Sequence, residues 1–440
     1  MTNTLKKPQW VSPTAKNPLV KKLNFISDKQ TYFTLVEQRP DKEYDFSNAS
    51  AKDRVAAYET EFYVPSDLSW EVYQAMCEML ELGYRFKNIA YPSYYAMMNA
   101  VALSDDDKVE GIIEVESELE TGGSTIAPSG AGKTQAVKIA TSMIPSAIMH
   151  PPEDTAFKKP FLQVPVITTK LTDRSALSVL KELLRSIDKN AGTTFYADLP
   201  SRNTEDELLK KLRNACWQHG VGLVVLDEAQ TFITESGKKK GSDSKNAKFL
   251  QRIFNFLCLP ILLIGTPETQ EFLSCNPQTF RRYKKDADII HHNYTLDSEY
   301  WRNLVEGILQ GFVFCRDIAV TDAHQRLIYA YTAGNQSALQ IYCKALIRRV
   351  VETRCNVLSE KLLKDVFEIK KATLLPLTSL LGKPAKNTEA VFNAEFQSPA
   401  PKAKSTHKAV KAKREHIEPN VAAKLSQERG QAAHKLFMRG

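Results

Sequence analysis

Glycine, lysine and a hydroxyl come together between a strand-like run and a helix, in the run Ala127-Pro128-Ser129-Gly130-Ala131-Gly132-Lys133-Thr134. The backbones of Gly130 and Gly132 can adopt positive φ and direct several N–H groups at one anion. Lys133 can reach the β- and γ-phosphates of a nucleotide, and the Thr134 hydroxyl can bind Mg²⁺. The run is therefore predicted to be a phosphate-binding loop, with Ala127 where the first glycine usually stands.

The residues around this loop also suit phosphate binding. A short strand-like run from Ser124 to Ala127 precedes it, and a helix is predicted from Lys133 to about Met143. The positive end of that helix would face the same phosphates. A glycine-rich turn before an ordinary helix is the alternative interpretation, and a second motif is needed to separate the two.

Two carboxylates follow a long apolar run, Gly222-Leu223-Val224-Val225-Leu226-Asp227-Glu228. Five successive residues without polar alternation predict a parallel strand that is buried on both faces. The carboxyl end of such a strand lies at the edge where open α/β sheets bind ligands. Asp227 is therefore predicted to hold the hydration shell of Mg²⁺ beside Thr134, and Glu228 to deprotonate an attacking water. A surface Asp-Glu pair that ends a core strand is the alternative.

A third apolar run, from Pro260 to Pro267, has the polar residue Thr266 at its end. Thr266 is predicted to sense the γ-phosphate or to position the water. The order of strands and helices from the phosphate loop to this run matches an α/β fold with a parallel doubly wound sheet. The three runs together predict an ATP site at one edge of that sheet.

Basic residues could act on a neighbouring subunit or on DNA. Arg281 and Arg282 lie beyond the helix that follows the third run, and either could be an arginine finger. The basic segment from Gly237 to Lys248 has no apolar anchor. Four of its lysines could contact DNA phosphates, namely Lys238, Lys239, Lys240 and Lys245. A surface pair at a helix end and a solvated loop are the alternative interpretations.

The chain of 440 residues has a formal net charge of +8 that is unevenly distributed. Residues 104–120 contain eight carboxylates and one lysine, whereas residues 121–382 carry a net charge of +8 and residues 383–440 one of +7. A basic core with a basic end favours a polyanionic partner such as double-stranded DNA. Surface lysines that only keep the protein in solution are the alternative.

Other sequence features bear on location. No apolar run approaches the roughly 18 residues of a membrane span, and no signal-peptide pattern begins the chain. The seven cysteines are scattered without a metal-binding spacing, so reduced thiols in a cytoplasmic protein are expected.

Composition and hydrophobic periodicity predict four regions. Residues 1–120 are predicted to form an extended arm, a helical N-terminal extension and an acidic connector. Residues 121–296 are predicted to form the α/β nucleotide-binding core, and residues 297–382 a lid of four helices. Residues 383–440 are rich in Ala, Lys, Pro and Ser, which is typical of a disordered basic tail.

The motifs resemble those of the AAA+ class of P-loop ATPases. The strand Val-Val-Leu-Asp-Glu-Ala-Gln (224–230) and the strand Leu-Leu-Ile-Gly-Thr-Pro-Glu (262–268) resemble in particular the TnsC/TniB group, transposition regulators related to the phage MuB protein. The N-terminal Asn17-Pro18-Leu19-Val20 and Tyr63-Val64-Pro65 are also similar to the start of TnsC proteins. The resemblance covers about residues 120–370.

This resemblance implies an ATPase that regulates a TnsABC-type transposon in the bacterial cytoplasm, associated with the nucleoid. Such proteins assemble on duplex DNA as rings or helical filaments, and connect a TniQ/TnsD-like target selector to TnsA/TnsB-like transposase subunits. By position, Lys133 and Thr134 correspond to the ligands of ATP and Mg²⁺. Asp227 and Glu228 correspond to the metal and water pair, and Thr266 to the sensor.

Two departures from the pattern qualify this expectation. Ala127 replaces a glycine, which the fold tolerates if its φ is negative. The lid segment from Gly334 to Ser337 has no arginine where many AAA+ proteins place a second sensor. Slow hydrolysis is therefore expected, with ATP acting as a switch for assembly.

Two other functions stay open at the level of sequence. An ExeA-like secretion or assembly ATPase would share the Asp-Glu-Ala-Gln strand, but such proteins usually carry a membrane span and a Gly-Gln-Pro ending on the sensing strand. A nucleotide-gated adaptor would bind ATP without hydrolysing it and would act through protein contacts alone.

Overall fold

The computed structural model describes residues 14, 16–40, 46–103, 122–171, 175–233, 245–274, 283 and 287–379. Within these residues the strands are β1 (Gly122–Ile126), β2 (Ile148–His150), β3 (Phe161–Gln163), β4 (Val166–Lys170), β5 (Leu223–Asp227), β6 (Ile261–Gly265) and β7 (Ala287–Ile290). Five of them form one sheet in the order β4-β5-β6-β1-β7, and every neighbouring pair is parallel. Strands β2 and β3 pair separately and antiparallel.

Helices flank the sheet and continue beyond it. They are α1 (Pro18–Lys21), α2 (Lys29–Val36), α3 (Ala51–Glu61), α4 (Asp67–Gly83), α5 (Pro92–Ala102), α6 (Lys133–Ser142), α7 (Ala176–Ala191), α8 (Glu205–Gln218), α9 (Ala229–Ile233), α10 (Lys245–Leu257), α11 (Pro267–Ser274), α12 (Glu299–Ile308), α13 (Asp322–Thr332), α14 (Gln336–Thr353) and α15 (Glu360–Ser379). Within the described part of the chain, no helix combines the length and the apolar character needed to cross a bilayer.

The apolar runs of the sequence form the centre of the sheet. Residues Leu223 to Leu226 are fully buried, because Leu223 and Val225 face α6 while Val224 and Leu226 face the cluster of α7, α8 and α10. A strand covered on both faces has no polar side, which explains the absence of alternation. The predicted α/β fold with a parallel doubly wound sheet is confirmed.

One predicted strand is divided in two. The apolar run from Leu162 to Thr169 predicts one strand, in which Pro165 indicates an edge position or a bulge, but Val164 and Pro165 separate β3 from β4. Proline has no N–H to donate, and its carbonyl oxygen instead accepts from the N–H groups of Gly222 and Leu223. The chain therefore changes partners at Pro165, and β4 becomes the edge strand of the sheet.

The N-terminal arm is not extended over residues 16–40, and this prediction is wrong there. Side chains of Asn17 and Asp28 accept hydrogen bonds from the first turns of α1 and α2, as N-caps do. Leu19 and Tyr32 are fully buried, and the Tyr32 ring stacks on Tyr73 of α4 with 4.9 Å between the ring centroids. Helix α3 was also not predicted.

Helix α4 supports the helix that follows the phosphate loop. Ser66 and Ser69 form a reciprocal capping box at its start. Its apolar face, including the fully buried Met76 and Met79, belongs to the same core as Ala136 and Ala140 of α6. The N-terminal residues thus hold α6 in place on the sheet.

The region after the sheet contains four helices, as the sequence predicted for the lid. Helices α12, α13, α14 and α15 occupy the four predicted segments, and a π-helical turn, Leu309–Val313, continues α12. Val55 and Tyr58 of α3 join the lid core beside Phe312. The N-terminal region therefore contacts the lid as well as the sheet.

Replacing Met76 with alanine should lower the free energy of unfolding by about 2–5 kcal/mol, because the cavity lies between α4 and α6. Gln74→Ala, on the exposed side of the same helix, should change it by less than about 0.5 kcal/mol. Urea denaturation followed by circular dichroism measures both. Equal effects of the two substitutions would contradict the described packing of α4 on α6.

Candidate functional site

The predicted phosphate loop joins β1 to α6 with the backbone that its glycines require. Gly130 has φ +80° and Gly132 has φ +89°, values that residues with a Cβ rarely adopt. Ala127 is fully buried and has a negative φ, so the fold needs no glycine there. Its N–H donates to the carbonyl oxygen of Gly265 at 3.1 Å, which continues the pairing of β1 with β6.

Lys133 is buried in the turn of this loop. Its Nζ donates to the carbonyl oxygens of Ala127 and Pro128 at 2.7 and 2.8 Å. The ammonium group is therefore held against the loop backbone, on the first turn of α6. A cation on the first turn of a helix, beside a loop with two positive-φ glycines, is suited to hold a phosphate.

The structure brings Thr134 together with both predicted carboxylates. The Thr134 hydroxyl donates to Oε1 of Glu228 at 3.4 Å, and it lies close enough to the carboxylate of Asp227 to lower the pKa of that group. Burial raises the pKa of the Asp227 carboxyl above its ordinary value. The N–H of Glu228 and the Thr134 hydroxyl lower that pKa, but by less than burial raises it. The end of β5 and the start of α6 thus share one polar site.

Glu228 has an unusual backbone. Its φ is +61°, in the left-handed region that costs a residue with a side chain of order 1–2 kcal/mol. The side-chain amide of Gln230 donates to its carboxylate, so Glu228 is held from both sides by Gln230 and Thr134. Strained residues of this kind cluster at functional sites, and no pattern in the sequence had indicated the strain.

Thr266 lies at the end of β6, between the strands that carry the loop and the carboxylates. It is buried, and its hydroxyl donates to the carboxylate of Glu268. Because β6 pairs with both β1 and β5, Thr266 occupies the same edge of the sheet as Ala127 and Asp227. The predicted sensor residue is therefore adjacent to the loop.

The lid contacts the phosphate loop directly, through the turn before α14. Nδ2 of Asn335 donates to the carbonyl oxygen of Ser129 at 2.8 Å, and the N–H of Ser337 donates to that of Gly130 at 3.1 Å. Asn335 also caps α14, because its Oδ1 accepts from the N–H of Ala338. The sequence identified this segment only by its lack of arginine, and its role as a contact was missed.

His291 is a further neighbour of the loop that sequence reasoning missed. It follows β7, and its N–H donates to the carbonyl oxygen of Ile126 at 2.8 Å. Burial lowers the pKa of His291 to about 4, and the charges of His292 and Lys133 add to the decrease. Its ring is therefore neutral at physiological pH, next to a buried cation. No local pattern marks such a residue.

Some predicted residues lie outside the described part of the chain. Arg281 and Arg282, the proposed arginine fingers, belong to this group, and so do Lys238, Lys239 and Lys240. Lys245 was predicted to lie in a loop, but it is the first residue of α10. The predicted contacts of these residues with DNA or with a neighbour stay predictions.

The residues present fit a nucleotide with Mg²⁺. Among the described residues, no group of three or more His, Cys, Asp or Glu side chains could by itself hold a metal ion. Magnesium commonly takes one or two protein oxygens and completes its shell with phosphate and water. Thr134 and Asp227, next to a loop with two positive-φ glycines, match that ligand set.

The contact between lid and loop can be tested at Gly132, since a Cβ there would lie 2.0 Å from Oε1 of Gln336. Gly192 is the matched control, because it has φ +69° and nothing within 4 Å of the added Cβ. Gly192→Ala should lower the free energy of unfolding by about 1–2 kcal/mol, because the backbone alone is strained. Gly132→Ala should lower the free energy of unfolding by more than Gly192→Ala does. The added Cβ also displaces the Gln336 side chain from the hydroxyl of Tyr300.

A double-mutant cycle isolates this second part of the cost. In a Gln336→Ala background, Gly132→Ala should cost no more than Gly192→Ala does in wild type. Chemical denaturation of the four variants gives the values. If Gly132→Ala and Gly192→Ala cost the same with Gln336 present, the lid does not contact the loop as described.

Comparison with known proteins agrees with this geometry. Residues 120–273 match the AAA domain family. No curated protein matches the sequence.

Solved structures with a similar fold are distant from this chain. The ORC2 protein of Aeropyrum pernix is 15% identical, with a TM-score of 0.39, over 63% of this chain and 70% of that one. Domain III of the replication initiation protein DnaA of Thermotoga maritima is 14% identical, with a TM-score of 0.35, over 65% and 94%. The RuvB Holliday junction branch migration motor of the same organism is 12% identical, with a TM-score of 0.31, over 60% and 68%. Similarity at this level carries no argument about function.

Proposed function

We propose that this AAA domain hydrolyses ATP, and that the chain is a regulator of DNA transposition that assembles on double-stranded DNA. The observation that carries the ATPase part is the meeting of Thr134 with Asp227 and Glu228 beside the phosphate loop. Glu228 follows Thr134 by 94 positions in the sequence, and the fold brings its carboxylate to the Thr134 hydroxyl. This arrangement serves to place a metal ion and a base next to a bound phosphate.

Each residue of the site has a distinct role in this proposal. The loop amides and Lys133 hold the phosphates, while Thr134 and Asp227 hold Mg²⁺, which neutralises charge on the phosphate oxygens. Glu228 accepts a proton from the attacking water, and Gln230 keeps the Glu228 carboxylate oriented.

The transposition part of the proposal depends on the motif resemblance. The strand endings Asp-Glu-Ala-Gln and Ile-Gly-Thr-Pro support the TnsC/TniB group, and the basic charge of residues 121–382 and 383–440 supports DNA as the partner. In this proposal the protein forms rings or filaments on DNA and connects a TniQ/TnsD-like selector to TnsA/TnsB-like transposase subunits. Arg281 or Arg282 would complete the site of a neighbouring copy.

A second candidate, the nucleotide-gated adaptor, is favoured by one observation. The lid touches the loop through the neutral amides of Asn335 and Gln336, where an arginine could have stabilised the charge that develops during phosphoryl transfer. Such a lid could follow nucleotide binding without accelerating hydrolysis. Steady-state turnover separates the two candidates, because an adaptor shows none above background.

Two substitutions test the leading proposal. Glu228→Gln should retain ATP binding, reduce turnover by about 10²–10⁴-fold and leave the protein assembled on DNA, because the base is lost and the phosphate ligands are not. Lys133→Ala should lose ATP affinity and ATP-dependent assembly on DNA together. ATP binding, phosphate release and electron microscopy with duplex DNA provide the three measurements.

The matched control is Glu81→Gln on the exposed face of α4, which should behave as wild type in all three measurements. If Lys133→Ala assembled on DNA as wild type does, without any nucleotide, the link between ATP and assembly would be refuted. Persistent turnover in Glu228→Gln would remove the proposed role of that carboxylate.

A further inference from the structure

The side-chain amide of Asn335 joins the lid to the phosphate loop. Asn335 lies in the turn between α13 and α14, and only 3% of its surface is exposed. Its Nδ2 donates to the carbonyl oxygen of Ser129 at 2.8 Å and to Oδ1 of Asn293 at 3.3 Å. Its Oδ1 accepts from the N–H of Ala338 at 3.1 Å. The amide therefore uses its nitrogen and its oxygen in different contacts.

These partners determine which way the Asn335 amide points. The N–H of Ala338 can only donate, so the atom that faces it must be the oxygen. The carbonyl oxygen of Ser129 can only accept, so the atom that faces it must carry hydrogen. A side chain at this position must offer a donor and an acceptor on two separate atoms. An aspartate cannot donate, and a serine has a single polar atom on a shorter side chain.

A second hydrogen bond from the same turn holds the next carbonyl group of the loop. The N–H of Ser337 donates to the carbonyl oxygen of Gly130 at 3.1 Å. A Cβ on Gly130 would lie 2.6 Å from Oδ1 of Asn335, so the turn packs directly on the loop backbone. Two successive peptide units of the loop, Ser129–Gly130 and Gly130–Ala131, thus direct their carbonyl groups at the lid.

The geometry of the peptide unit converts these contacts into a direction for the loop amides. In a planar trans peptide unit the C=O and N–H bonds point in opposite directions. A carbonyl group that is held by the lid therefore directs the N–H of the same unit away from the lid. The N–H groups of Gly130 and Ala131 accordingly face the other side of the loop.

Lys133 is directed at that other side of the loop. The N–H of Ala131 donates to the carbonyl oxygen of Pro128 at 3.2 Å, and Nζ of Lys133 donates to the same oxygen at 2.8 Å. In the proposed ATP site the phosphates bind where backbone N–H groups and a cation converge. The lid and the phosphates would therefore bind opposite sides of the same two peptide units.

We propose that Asn335 is a positioning residue of the phosphate loop, because its amide holds the Ser129–Gly130 peptide unit with the N–H of Gly130 directed at the bound phosphates. This inference rests on the proposed function, since it assigns Asn335 to the same ATP site. Asn335 acts through the loop backbone and not on the nucleotide itself. A peptide unit that is already oriented loses less freedom on binding, so the lid contributes to phosphate affinity.

Affinities for inorganic triphosphate and for a non-hydrolysable ATP analogue, each with Mg²⁺, test this role. Asn335→Ser retains an oxygen that can cap α14 but loses the donor to Ser129, so both ligands should bind about 3- to 10-fold more weakly. Asn335→Asp also retains the cap, and it should weaken binding further because its carboxylate repels the phosphates. Titration calorimetry on the full-length protein measures the affinities.

Thr321→Ala is the matched control for the loss of a hydrogen bond in the lid. Thr321 caps α13, where its side chain accepts from the N–H of His324, and its substitution should leave both affinities unchanged. A purely structural role of Asn335 predicts the same result for Asn335→Ser, and that result would overturn the proposal. Weaker binding of the ATP analogue alone would also overturn it, because the lid would then act on the nucleoside.

NMR can observe the peptide unit itself. The sequence contains two Ser-Gly pairs, at 129–130 and 236–237. Protein labelled with ¹³C at the serine carbonyl and ¹⁵N at glycine therefore gives two carbonyl–amide signals, and Ser236→Ala removes one of them. Inorganic triphosphate should move the Gly130 amide proton downfield in wild type and much less far in Asn335→Ser. Equal movement at saturation in both proteins would contradict the proposed orientation.

The result for Asn335 is separable from that for the proposed function. Every measurement uses binding and none uses turnover, so the rate of ATP hydrolysis does not affect them. Wild-type protein that bound neither ligand would refute the proposed ATP site and the role of Asn335 together. Normal binding by wild type, with unchanged affinities in Asn335→Ser, would refute the role of Asn335 alone.

Discussion

The site depends on the order of the strands in the parallel sheet. Strand β6 lies between β1 and β5, so the loop after β1, Thr266 after β6 and the carboxylates after β5 meet at one edge. Parallel strands bring only their carboxyl ends to that edge, and their backbone hydrogen bonds fix the spacing between them. A different order would place Asp227 away from Thr134, although every local element could still form.

The phosphate loop is held by parts of the chain that are distant in sequence. Helix α4 supports α6 from the N-terminal side, His291 binds the end of β1, and the turn at Asn335 donates to the loop from the lid. Each contact uses backbone hydrogen bonds or close-packed apolar side chains, which tolerate little displacement. The loop and the lid are therefore joined directly, because Ser129 and Gly130 accept hydrogen bonds from the turn before α14.

The residues with predicted chemical roles break local rules, as several residues elsewhere in the fold also do. Glu228 has a positive φ, Asp227 carries a carboxyl into a buried site, and Lys133 is a buried cation. Each of these features costs free energy that the surrounding sheet must offset. Such exceptions are expected where side chains must be held ready for a ligand, and they coincide here with the residues that the motifs had indicated.

Much of the fold follows from patterns within short stretches of sequence. The glycines of the loop before α6 and the apolar run before Asp227 predicted their elements correctly, and Ser66 caps α4 as its residue type allows. In each case the cause is local, because a dihedral preference, a buried strand or a cap involves neighbours in the chain. The same signals were present at Asn17 and Asp28, whose caps begin the two helices of the arm.

The sequence by itself determined which residues form the glycine-containing loop before α6 and which strands are buried, since these depend on residue type and periodicity. Only the tertiary structure decided that β6 separates β1 from β5 and that Asn335 reaches Ser129 across 206 positions. Contacts of this kind leave no periodic trace in the sequence. They arise from the closure of the whole chain around one core, where the partner of a side chain is set by topology and not by its neighbours.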